Sequence, residues 1–269
     1  MNRSILVGTR VGVIAQRARE WVDLFSTART QAENLGGYSN DLISRQILES
    51  LCLPGKAFVD VGAHIGSVID GVARRSQPSV IIAIEAIPAK AEALRRRFPK
   101  AIVHGCAVGE NDGELPFFID VQHSGYSSLY PDKEGSPLEE IRVPVRKLDD
   151  LIGPQAVDVI KIDVEGAELG VLRGAEEVIA RDQPTILFES GPVEVGGFSK
   201  VAMWEWLDRA GYAVLVPNRV SHNDPGLSCD GFVESHLYPR RTTNYVAVAR
   251  SRREQIRARA RLIQKLDKE

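Results

Sequence analysis

"FVDVGAHIGSVID", residues 58–70, joins an apolar run to a glycine turn that carries an acid, and then opens into a helical pattern. Phe58, Val59 and Val61 read as a buried strand, and the spacing predicts a helix over 66–75. Gly62 and Gly66 allow a tight turn and a close approach of backbone to ligand. Asp60 stands at the strand end, where a carboxylate can accept hydrogen bonds from an amine or hydroxyl. The order is D-x-G-x-x-x-G and not G-x-G-x-x-G. A dinucleotide needs the turn and helix N-terminus free for its pyrophosphate, whereas an acid at the turn suits a cationic ligand without phosphates.

The same alternation runs on either side of this stretch. Strands are expected at 57–62, 80–85, 101–108, 158–163, 184–189, 212–217 and 243–249, with helices at 66–75, 89–98, 167–181 and 200–210. Two more polar β-like segments, 114–120 and 141–148, interrupt the series. Short, near-continuous apolar strands between helices predict a mainly parallel α/β sheet covered on both faces. Residues 10–34 show helical spacing, "NLGGY" (34–38) breaks it, and a second periodic stretch reaches Leu51. The expected organisation is an N-terminal helical extension (1–52), a central catalytic-type domain (53–249) and a basic C-terminal helix (250–269).

The 269 residues suit one sizeable domain with extensions, and 43% hydrophobic residues suffice for a substantial core. A net charge of −2 argues against a generally basic, nucleic-acid-coating surface, and 6% aromatics weakens a case for base stacking. Cys52, Cys106 and Cys229 are far apart without C-x-x-C spacing, so a reducing, cytoplasmic compartment is expected. No apolar run reaches the roughly 18–20 residues that span a bilayer, and the opening 1–21 reads as an amphipathic helix, not a signal peptide.

The second strand ends in Glu85, placed to accept both hydroxyls of a ribose. With Asp60 at the first turn, this pattern fits S-adenosylmethionine, which carries a sulfonium and an amine but no phosphate. Taken in order, "FVDVGAHIG", "AIEAIP", "CAVGENDG", "SGYSSL" and "VDVIKIDVEGAELGVLRGAEEVI" make the chain resemble the FkbM family of S-adenosylmethionine-dependent methyltransferases, over roughly residues 36–249. The resemblance implies a Rossmann-like class I methyltransferase: seven strands, six parallel and one reversed near the end, with helices on both faces. It also implies methylation of hydroxyl groups on glycans or small natural products.

Carried over by position, the resemblance implies that Asp60, Gly62 and Gly66 hold the methionine portion of the cofactor. Glu85 would bind the ribose, Ala86 and Ile87 would flank the adenine, and Ala107 and Val108 would line its face. Ser127 and Ser128 would lie in a loop near the cofactor or acceptor, and Asp163 would face the sulfonium and its methyl. His64 stands where relatives often have Asn, and reads as a turn-capping residue.

Asp163 ends a central strand and is the expected functional acid, while Glu165 is expected to serve the helix entrance and Glu168 an exposed first turn. No metal is expected; were one bound, Asp163, Glu165 and Glu189 would supply its oxygen ligands. A hydroxyl acceptor must lose a proton, and His123, His222 and His236 are candidate bases in loops. Lys161 interrupts an apolar strand and needs a carboxylate partner. The basic tail can rest on the body or on another subunit, making a homo-oligomer through the terminal helices an expectation. The competing functions are an NAD-dependent oxidoreductase, which shares the sheet and the ribose acid, and a non-catalytic cofactor-binding or interaction module.

Overall fold

A computed structural model describes residues 21–120, 138–192, 194 and 199–266. Residues 21–30 are helical, and α1 (Leu35–Leu51) follows. The break expected at "NLGGY" falls a few residues earlier, at 31–34, and Gly36 and Gly37 lie in the first turn of the second helix. A Cβ on Gly37 would meet the Arg240 carbonyl oxygen at 3.4 Å, an ordinary contact, so the helix packs here against the loop at Arg240.

The alternation expected from the sequence then unfolds as β1 (Ala57–Val61), α2 (Ser67–Arg75), β2 (Val80–Ile84), α3 (Pro88–Arg97) and β3 (Ile102–His104). A side excursion follows, made of β4 (Ala107–Val108), β5 (Gly113–Asp120) and β6 (Leu138–Arg146), and the chain returns through the short α4 (Leu148–Ile152). Next come β7 (Val157–Ile162), α5 (Glu168–Arg173), α6 (Glu176–Asp182), β8 (Thr185–Glu189), α7 (Lys200–Arg209), β9 (Tyr212–Leu215), α8 (Cys229–Glu234), β10 (Asn244–Ala249) and α9 (Arg253–Gln264).

Seven strands form the main sheet in the order β3-β2-β1-β7-β8-β10-β9. The β2–β3, β1–β2, β1–β7 and β7–β8 pairs are parallel, and β10 runs antiparallel to both β8 and β9. This is the seven-stranded sheet with one reversed strand that was expected. Two corrections apply. The single strand expected over 101–108 is two strands: β3 ends the main sheet, and β4 joins a separate three-stranded sheet ordered β4-β6-β5. The single helix expected over 167–181 breaks at Gly174, where a Cβ would sit 2.2 Å from the Gly109 carbonyl oxygen. Backbone from the β4–β5 turn passes where a side chain would be.

Strand alternation sends neighbouring side chains to opposite faces. Val59 and Val61 enter one buried layer with Leu169, Val178 and Leu207 from α5, α6 and α7. Phe58 enters the other with Ile47 and Leu51 of α1, Ile69 of α2, and Ile256 and Ala260 of α9. Both terminal helices therefore form part of the layer that covers the sheet. Three arginines of the basic tail turn inward too. Arg252 and Arg259 reach the two carboxylate oxygens of buried Asp158 at 2.6 and 2.8 Å, and Arg253 donates to the carbonyls of Val220 and His222. Among the described residues, no helix is long and apolar enough to cross a membrane.

Candidate active site

A cavity of about 560 Å³ opens at the carboxyl ends of β1, β2, β7 and β8, where open α/β sheets bind ligands. Its volume lies within the range of small-molecule sites. Gly62 lines it in a left-handed turn (φ 80°), and a Cβ there would fall 1.9 Å from the Asp163 carbonyl oxygen. Glycine is thus required because the ends of β1 and β7 close together at this point. Gly66 is also left-handed (φ 80°), but its missing Cβ makes room for Phe98 and Leu94, at 2.3 and 2.8 Å, and it does not line the cavity. The expectation that Gly66 touches the ligand is corrected: it packs α2 against the end of α3.

Asp60 is likewise displaced from its expected role. It is wholly buried, absent from the cavity lining, and its carboxylate oxygens accept no hydrogen bond from the described residues. Register explains its position. Asp60 on β1 pairs with Lys161 on β7, and alternation points both to the α1–α2 face. Lys161 Nζ lies 3.4 Å from Asp60 Oδ1, an ion contact, and 3.0 Å from both Asp163 Oδ2 and the Gly62 carbonyl oxygen. Two of these lie at hydrogen-bond distance, and the contact with Asp60 is a longer attraction between charges. Burial alone would depress the Lys161 ammonium, but Asp163 and then Asp60 more than reverse this and raise it, so it stays charged. Burial raises the Asp60 carboxyl, and the Lys161 charge opposes that rise.

Glu85 lines the cavity just past β2. Its Oε2 accepts the His64 backbone N–H at 2.8 Å and its Oε1 that of Ile87 at 2.9 Å, which fixes the carboxylate and leaves further lone pairs for a ligand. Burial raises its pKa, against those two backbone donors. Ala86, Ile87, Ala107 and Val108 line the same side, joined by Cys106 and by Phe117 of β5, which sequence reading missed. Phe117 belongs to the second sheet, and its placement depends on tertiary packing that no local motif signals. His64 adopts a left-handed conformation (φ 49°), which Asn tolerates readily. Its ring also lines the cavity; burial, then Lys90 and Lys161, hold its pKa down to about 4 against the pull of Asp163.

Asp163, Glu165 and Glu189 all line the cavity. Glu165 therefore does not stand at the helix entrance. It occupies a left-handed turn (φ 52°) ahead of α5, and the entrance belongs to Glu168. Glu168 is buried, contrary to expectation, because its Oε1 accepts the Gly166 N–H at 2.9 Å. Burial, then Asp163 and Glu168, raise Glu165 to about 7. Burial, then Asp163 and Glu165, raise Glu189 to about 8. Among the described residues no three His, Cys, Asp or Glu side chains form a metal-holding group, so the Asp163–Glu165–Glu189 alternative lacks a ligand geometry.

The candidate bases fare differently. His123, Ser127 and Ser128 lie outside the described residues. His222 does not line the cavity. His236 is buried elsewhere, with Nδ1 2.8 Å from the Phe232 carbonyl oxygen and Nε2 2.9 Å from Ser190 Oγ. Burial holds its pKa down to about 4. Neither is placed to take a proton from a ligand in this cavity.

The strand order, the reversed β10 and a ligand cavity at the first glycine turn define a class I methyltransferase fold. Residues 60–214 match the model of the methyltransferase FkbM domain, and the chain belongs to this family of S-adenosylmethionine-dependent methyltransferases. It is similar to Methyltransferase 1 of Beauveria bassiana (strain ARSEF 2860), 28% identical with 51% of this chain and 68% of that protein covered. It is also similar to Methyltransferase sdnD of Sordaria araneosa, at 27%, with 46% and 62% covered. The crystal structure of methyltransferase FkbM from Methylobacillus flagellatus KT is 20% identical with a TM-score of 0.45, and 72% of this chain spans 43% of that one.

Proposed function

We propose that this chain transfers a methyl group from S-adenosylmethionine to a hydroxyl of a glycan or small natural product. The observation that carries this reading is Glu85, a buried carboxylate fixed by two backbone N–H groups at the cavity floor beside the Gly62 turn. The donor set fits the cofactor. Glu85 offers acceptors to ribose hydroxyls, the slot of Ile87, Ala107, Val108 and Phe117 is apolar enough for an adenine, and carboxylates beyond Gly62 suit a cationic methionine end. A pyrophosphate would meet those carboxylates unfavourably, which disfavours the dinucleotide alternative.

The cofactor supplies an activated methyl group on a sulfonium. The chain's own contribution is alignment and proton removal. Lys161 fixes Asp163 against the Gly62 turn, so that a carboxylate stands where the two strand ends meet. Glu165 and Glu189 flank it with pKa values of about 7 and 8, close to an operating pH, as a general base requires. These carboxyls replace the histidines as the groups that accept the acceptor's proton. Asp60 acts through Lys161 as a positioning residue. Arg252, Arg253 and Arg259 of the tail are engaged by Asp158 and by backbone carbonyls, which lowers the positive charge the tail offers to nucleic acid.

The test is calorimetry with S-adenosylhomocysteine. Glu85→Gln should weaken binding at least tenfold, about 1.4 kcal/mol, because a charged acceptor hydrogen-bonds more strongly than a neutral one. No binding by the native chain, or equal binding by the variant, overturns the assignment.

A further inference from the structure

The cavity continues beyond the half assigned to the cofactor, and strand order gives the direction. β2 and β1 carry Glu85 and Gly62; β7 stands next, with β8 and β10 beyond it. The far wall is made by Glu189 at the end of β8, Asn244 at the start of β10, and Asp41, Ser44 and Arg45 of α1. Glu189 and Asn244 are cross-strand partners, and Asn244 Nδ2 donates to Asp41 Oδ1 at 3.0 Å. Three elements distant in sequence are thereby joined into one polar surface. Of its members only Glu189 falls inside the 60–214 family match.

We propose that this wall is the acceptor subsite and that it selects a polyhydroxylated acceptor bearing a protonated amine, such as an amino sugar unit, over one bearing a carboxylate or phosphate. The inference rests on the methyl-transfer reading and adds the acceptor's chemical class. Asp41 and Glu189, with Glu165 nearby, present acceptor oxygens that suit hydroxyl and ammonium donors. Arg45 is the wall's cation, one charge against the carboxylates of Asp41, Glu165 and Glu189, and its Nε lies 3.9 Å from Glu49 Oε1 on the same helix. Lys161, the cation deeper in the site, is engaged by Asp163, Asp60 and the Gly62 carbonyl. A ligand ammonium would relieve the repulsion among the carboxylates, and a ligand anion would add to it.

The experiment loads the full chain with S-adenosylhomocysteine and titrates glucosamine, glucose and glucuronic acid at pH 7, where the amine of glucosamine is protonated and glucuronic acid is ionised, following binding by ligand-observed NMR. Glucosamine should bind at least tenfold more tightly than glucuronic acid, with glucose between them. In Asp41→Asn that preference should fall below threefold while S-adenosylhomocysteine affinity holds, which also shows that the variant is folded. Equal affinities, a preference for glucuronic acid, no saccharide binding, or an unchanged preference in Asp41→Asn would each overturn the proposal. If S-adenosylhomocysteine itself fails to bind the native chain, the methyl-transfer reading falls first and this inference falls with it.

Discussion

Replacing Glu189 by Gln should stabilise the protein at high pH and do nothing to stability at low pH. Glu189 sits at the end of β8, mostly shielded from water, and faces Asp163, Glu165 and Asp41 with Lys161 as the nearby cation. Its folded pKa is about 8 against an ordinary 4.5. Below 4.5 both folded and unfolded chains carry the proton, so the group contributes no difference. Between 4.5 and about 8 the unfolded chain has released the proton while the folded chain holds it, and stability falls as pH rises. Above 8 the loss is complete. At about 1.4 kcal/mol per pKa unit the full shift corresponds to roughly 5 kcal/mol. Burial is the largest cause and repulsion from Asp163 and Glu165 the next. Solvent reaching the ionised group and proton uptake by its neighbours relax both, so the gain expected from glutamine at pH 9 is about 2 kcal/mol, or roughly 4–8 °C in thermal midpoint for a chain of this size. The assay is thermal unfolding by circular dichroism from pH 4 to pH 9 for both proteins. Curves that run parallel across that range, or a variant less stable at pH 9, would refute the electrostatic account of this wall.

Asp158→Asn should cost about 3–5 kcal/mol in urea unfolding, because it leaves two arginines around a neutral buried group. Burial raises the Asp158 carboxyl, but Arg259 and Arg252 outweigh that and hold it below 3.8; its stabilisation is therefore present near neutrality and lost only as acid titrates the folded group. A variant within 1 kcal/mol of the native chain would show that α9 is held by its apolar face alone. Asp60→Asn should change S-adenosylhomocysteine affinity less than threefold, since the Asp60 carboxylate does not reach the cavity. A tenfold loss by calorimetry would return Asp60 to the cofactor.

The parts of the fold that were legible in the sequence are those set by period and by local turn chemistry. Strands of five or six apolar residues, a glycine turn after β1 and an acid after β2 place the sheet, its crossover helices and Glu85. What was not legible depends on where separate elements meet. "AIVHGCAV" reads as one strand because apolar residues stand on both sides of His104, yet the chain changes sheets at Gly105 and Cys106. The helical period persists through Gly174, where a passing backbone forces the break. Glu165 has the composition of a helix entrance, but Glu168 captures the Gly166 N–H and starts the helix later, which turns Glu165 into the cavity. Asp41, Arg45 and Asn244 come from α1 and β10, with no motif around them, and only folding brings them to the site.

Lys161 shows how a residue that looks misplaced in sequence organises the chemistry. One residue separates Lys161 on β7 from Asp163 just past its end, so continued alternation puts both on the same face, and parallel register puts Asp60 beside them. Replacing a buried ion cluster by apolar side chains often leaves stability unchanged or improves it, so the core gains little from Lys161 as such. Its gain is geometric. One ammonium joins the last buried carboxylate of β1, the carbonyl of the Gly62 turn and the carboxylate just past β7. Gly62 permits that closure because any Cβ would strike the Asp163 backbone. The glycine brings the two strand ends together, and the lysine then fixes the acid between them. Asp60 keeps the lysine charged and in place without itself meeting a ligand, which is why an acid conspicuous in the sequence lies buried beneath the cavity while Asp163 and Glu165 face into it.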